Sequence, residues 1–125
     1  MRYYTNKMDI QNVILKIIEI PLQFHKLSNV SSITLLKESG YYEVFDEINE
    51  SEIANALTEH PNRINDWLIW SEDKRVSSGW YFFEKNESQY IVGYWPKNQH
   101  SELQYSDKTL ACAAFIKREI EAIRL

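Results

Sequence analysis

The apolar residues of this chain change their period partway along it, and that change limits the folds open to it. From Asp9 to Leu27, the residues Ile10, Val13, Ile14, Ile17 and Ile18 recur at helical spacing, with Gln11, Asn12, Lys16 and Glu19 off that face. Pro21 lacks an amide donor and pushes Ile20 away from helical angles, so this helix is expected to end or kink there. Ser31 or Ser32 can cap a second short helix that stops at Gly40. Asn49 with Glu52 three residues on forms a variant capping box, opening a helix that carries Ile53, Ala56 and Leu57 and ends before Pro61. The first half reads as helical.

From Trp67 the apolar runs become short, aromatic and β-branched. Trp67–Trp70, Trp80–Phe83 and Tyr90–Trp95 are expected to be the three strands of an antiparallel meander. Polar turns over Glu72–Gly79 and Lys85–Ser88 separate them, Pro96 closes the last strand, and Gln99–Tyr105 reads as a polar loop. Ser106 or Asp107 then caps a final helix with Ala113, Ile116, Ile120 and Ile123 as its apolar stripe. Lys117, Arg118, Glu121 and Arg124 fall mainly on the other face, cations late in a helix suiting its dipole. The expected fold class is α+β: N-terminal helices, a small antiparallel β-meander of about three strands, and a C-terminal helix packed on the sheet. At 125 residues the chain is long enough for one domain, spanning 1–125, and only three glycines and three prolines argue for regular elements with few tight loops.

Composition removes several function classes. The net charge of −4 counts against nucleic acid or an anionic membrane as a direct partner. One cysteine cannot form an internal disulfide. Met1–Lys7 lacks the apolar stretch of a signal peptide and no run approaches the roughly 20 apolar residues needed to cross a bilayer, so a cytoplasmic, soluble protein is expected. His25, His60, His100 and Cys112 are scattered without metal-ligand spacing, and no metal or cofactor is expected. Cys112, among Ala111, Ala113 and Ala114, reads as a small buried thiol. Gly40, Gly79 and Gly93 are isolated, which excludes a phosphate-binding glycine loop. Tyr81 and Phe83 superficially resemble the aromatics of an RNA-binding sheet but lack surrounding basic residues. Catalysis is not expected.

Charge is segregated along the chain. Between Glu38 and Asn62 lie Glu38, Glu43, Asp46, Glu47, Glu50, Glu52 and Glu59 with no Lys or Arg, so this stretch carries −7 and the remainder is net basic. The plain reading is a solvated face near a capped helix start. The functional reading is a docking surface steered toward a basic partner, with Tyr41, Tyr42 and Phe45 as anchors.

Two stretches carry a family likeness. Trp67-Leu68-Ile69-Trp70-Ser71-Glu72-Asp73-Lys74-Arg75 leads to Gly79-Trp80-Tyr81-Phe82, and Tyr105-Ser106-Asp107-Lys108 leads into Ala111–Lys117 and Glu119. Together they resemble small bacterial immunity proteins encoded beside polymorphic toxins, particularly those of contact-dependent growth inhibition, over roughly Gly40 to the C-terminus. The resemblance implies a single immunity-like domain without catalytic residues that binds and neutralises the C-terminal domain of a cognate toxin. Many such toxins are nucleases, basic because their substrates are polyanions. The candidate toxin-binding residues are Glu43, Asp46, Glu47, Glu50, Glu52 and Glu59, with Trp70, Asp73 and Trp80 around the Glu72–Gly79 turn. Asp73-Lys74-Arg75 also reads as an ion-paired turn bracing the sheet. A small adaptor or regulatory module, binding a protein through a sheet edge or aromatic groove, is the alternative.

Overall fold

In the computed structural model, which describes residues 6–27, 29–73, 79–96 and 102–125, the N-terminal helical run breaks at Glu19. Helix α1, Asn6–Ile18, ends there, and α2, Ile20–Lys26, carries Pro21 in its first turn, where the missing amide costs nothing. Ser31 caps α3, Ser32–Ser39, by accepting from the Thr34 amide at 3.0 Å. Gly40 ends that helix at φ 93°, a left-handed conformation in which a Cβ would also crowd Val13 at 3.2 Å. One turn of helix follows, α4 at Tyr41–Val44, then a 3-10 turn at Phe45–Glu47.

Helix α5, Glu50–Glu59, opens on the expected capping box. Asn49 Oδ1 accepts from the Glu52 amide at 2.9 Å and Glu52 Oε1 accepts from the Asn49 amide at 3.1 Å. Asn49→Ala removes one half of this reciprocal pair, and urea unfolding is expected to show a loss of about 1 kcal/mol.

The aromatic run at Trp67 is not a strand. It lies within α6, Asn62–Asp73, which starts directly after Pro61. Its buried residues are Ile64, Trp67 and Ser71, spaced by three and four, so helical period prevails over the β propensity of a four-residue aromatic cluster. Pro61 therefore separates two consecutive helices. The sheet begins later, with β1, Gly79–Asn86, paired antiparallel to β2, Gln89–Trp95, around the turn at Glu87 and Ser88. The third strand is β3, Leu103–Tyr105, in part of the stretch expected to be loop, and it pairs antiparallel with β2. The order is β1-β2-β3. Alternation along three residues is too brief to register as a pattern, and the pairing with Tyr90, Ile91 and Val92 makes the strand.

Asp107 caps α7, Lys108–Arg124, by accepting from the Leu110 amide at 3.0 Å. Ala113, Ile116 and Ile120 are buried as expected, and Ile123 is half-buried. Burial is broader than a stripe, because every residue from Ala111 to Ile116 is buried. The reason is position: α7 packs against the sheet and also against α5. Phe82 of β1 stacks on Phe115 with ring centroids 5.8 Å apart, and Trp67 meets Phe115 edge-on at 6.0 Å. Ser71 ties α6 to the sheet: its Oγ accepts from the Phe82 amide at 2.8 Å, satisfying a donor on an edge strand that does not point at β2. No helix among the described residues is long and apolar enough to cross a membrane.

Candidate functional site

The acidic stretch is built on four elements. Glu38 is near the end of α3, Glu43 lies in α4, Asp46 and Glu47 in the 3-10 turn, and Glu50, Glu52 and Glu59 in α5. Glu43, Asp46 and Glu47 are exposed, and none makes an ion pair among the described residues. They lie between two buried side chains, Tyr41 and Ile48, which fix both ends of the segment in the core.

Glu50 and Glu52 differ from them. Glu50 accepts from the Arg118 guanidinium at 2.7 Å, and Glu52 completes the α5 capping box. Glu59 is exposed at the far end of α5, about 14 Å along the helix from Glu50 at the usual 1.5 Å rise. The structure thus leaves Glu43, Asp46 and Glu47 exposed within five residues of one another as a short acidic ridge, ties Glu50 and Glu52 into the fold and leaves Glu59 apart.

Trp70, Asp73 and Trp80 lie on other elements. The Trp70 indole donates to Glu119 of α7 at 2.9 Å, and its ring packs against Trp67 and Phe24. Trp80 lies on the face of β1 that meets α7, edge-on to Tyr94 and 5.6 Å from the Arg118 guanidinium carbon. Both are half-buried packing residues. Asp73 is exposed at the end of α6; its proposed turn partners Lys74 and Arg75 lie outside the described residues.

The residues that sequence reasoning missed are the cations of α7. Lys117 Nζ donates to the Tyr41 hydroxyl at 2.8 Å and to the Phe45 carbonyl at 3.0 Å. The Tyr41 hydroxyl donates to Glu121, which also accepts from Arg124 at 2.9 and 3.1 Å. The Arg124 guanidinium carbon stands 3.7 Å from the Phe45 ring centroid, a cation–π contact. Hydrogen bonding from Arg124 holds the Glu121 carboxyl below its ordinary range, against an opposing effect of burial. Burial pushes the Lys117 ammonium down, and burial with the Glu121 contact pushes the Tyr41 phenol well up. The signal available in the sequence was complementarity: an acidic middle and a final helix ending in cations can meet within one chain.

Elsewhere the chemistry is quiet. Cys112 is fully buried, and desolvation raises its thiol pKa, keeping it protonated and poorly nucleophilic. His25 and His60 are exposed, and His100 lies outside the described residues. Among the described residues no group of three His, Cys, Asp or Glu side chains could hold a metal ion. The sheet face away from α7 carries Tyr81, Phe83, Ile91 and Trp95, of which Phe83 is 42% and Trp95 50% exposed. Tyr81 lies across Gly93, where any Cβ would collide with its hydroxyl, and it donates to Glu102 at 2.9 Å. Burial, followed by that carboxylate, pushes the Tyr81 phenol up to about 12.

No family model, curated protein or solved structure matches the chain.

Proposed function

We propose that this protein is a non-catalytic inhibitor, an immunity protein acting in the cytoplasm, that docks its acidic ridge on the basic C-terminal domain of a cognate toxin, most suitably a nuclease. The observation that carries the reading is the ridge itself. Glu43, Asp46 and Glu47 are exposed and without ion pairs among the described residues, while their neighbours Glu50 and Glu52 are engaged within the fold. Exposed like charges on an anchored segment cost some self-repulsion and gain long-range attraction for a cationic surface. A surface that binds phosphates is such a target, and an acidic ridge seated there excludes the polyanionic substrate.

The direct test is to read the adjacent reading frames for a large secreted protein and to co-express its C-terminal domain with this chain. Growth should be rescued and the two chains should co-elute. A domain that remains toxic and does not associate with this chain overturns the reading. The alternative, an adaptor, draws on the exposed Phe83 and Trp95 of the outer sheet face. It predicts that Phe83→Ser with Trp95→Ser abolishes binding of a protein partner while reversal of the ridge charges leaves it intact.

A further inference from the structure

The ridge stands on a segment too short to keep its own shape. Four residues of helix and three of 3-10 turn are far below the roughly 12–15 residues at which an isolated helix becomes even marginal in water. Burial of Tyr41 and Ile48 fixes its ends. Its middle is reached from α7 by two cations. Lys117 grips the Tyr41 hydroxyl and the Phe45 carbonyl, and Arg124 covers the Phe45 ring while holding Glu121, the acceptor of the Tyr41 hydroxyl. The backbone oxygen that Lys117 takes belongs to the residue immediately before Asp46 and Glu47.

Resting on the docking reading above, we infer that Lys117 and Arg124 are positioning residues, which hold Glu43, Asp46 and Glu47 in the arrangement that meets a cationic partner. Neither needs to touch that partner. Their charge alone would act the opposite way, because a cation behind an acidic ridge weakens its field. Removing Lys117 should therefore speed association if the residue matters only through charge. If it positions the ridge, removal frees the segment, the partner must order it on binding, and the complex weakens although the ridge has become more acidic.

The experiment compares wild type with Lys117→Met, Lys117→Arg and Arg124→Met. Methionine keeps most of the apolar stem and discards the charge and donors. In the free protein, amide hydrogen exchange over Tyr41–Ile48 should accelerate at least about tenfold in Lys117→Met and Arg124→Met, with α5 and the buried part of α7 unchanged as the control for folding. Binding to the candidate toxin domain of the co-expression test should weaken at least about tenfold, mainly through faster dissociation, and Lys117→Arg should restore both readouts. Unchanged exchange in both methionine variants overturns the positioning role, as does faster exchange with unaltered or tighter binding. A wild-type chain that fails to bind that domain overturns the docking reading itself, which separates the two failures.

Discussion

Trp67→Ala is expected to be the most destabilising single change in the helical half, costing about 3–5 kcal/mol. Domains of this kind have only about 5–15 kcal/mol in total, so the variant should be partly unfolded at 37 °C or close to it. The indole is fully buried, packs edge-on to Phe115 and tilted against Trp70, and donates to the Ile18 carbonyl at 3.0 Å. It therefore joins α6 to the end of α1 and to the central helix α7 at once. Trp67→Phe keeps a ring for Phe115 and loses the donor, so it should cost less, about 1–3 kcal/mol for a buried acceptor deprived of this bond. Urea unfolding of both variants checks the order. A Trp67→Ala variant within about 0.5 kcal/mol of wild type would mean that the indole does not join these helices.

The same tryptophan shows where the sequence misleads. Trp67-Leu68-Ile69-Trp70 has strand composition, and four residues are too few for period to decide between strand and helix. The deciding residues lie outside the run: Ile64 and Ser71, one turn to either side, complete the buried face. Ser71 is polar, and its burial makes sense only once the Phe82 amide is seen to need an acceptor, a partner eleven residues away. Features set by local chemistry were legible: the Ser31 cap, the left-handed Gly40, the Asn49–Glu52 box and the Asp107 cap each depend on residues within about one turn. Strand β3 was not, because a three-residue strand exists through its neighbour. For the ridge, the acidic excess could be counted directly. Its division into engaged and outward-facing acids could not, since Glu50 is paired with a residue 68 positions away.

That division decides how the docking surface should be tested. Reversing Glu50 to Lys would place it against Arg118 and disturb the α5–α7 contact, so a loss of binding would be ambiguous. Glu43→Lys, Asp46→Lys and Glu47→Lys together lessen this, because all three side chains are exposed and exposed charges contribute little to stability. Asp46 acts electrostatically on Lys117, so the Glu43→Lys, Glu47→Lys pair without it is the control. The triple variant should unfold in urea within about 1 kcal/mol of wild type. Its association with the basic toxin domain should nevertheless slow by about 10- to 1000-fold at low salt, the range over which electrostatic steering acts. The wild-type association rate should itself fall as salt rises, since the screening length shrinks from about 10 Å at 0.1 M to about 3 Å at 1 M. At 1 M salt the two proteins should associate at nearly the same rate, because steering is then screened for both. Stopped-flow association measured across this salt range reads all three effects. A triple variant that binds as fast as wild type at low salt would remove the ridge as the docking surface and direct the search to the outer sheet face, where Phe83 and Trp95 are exposed.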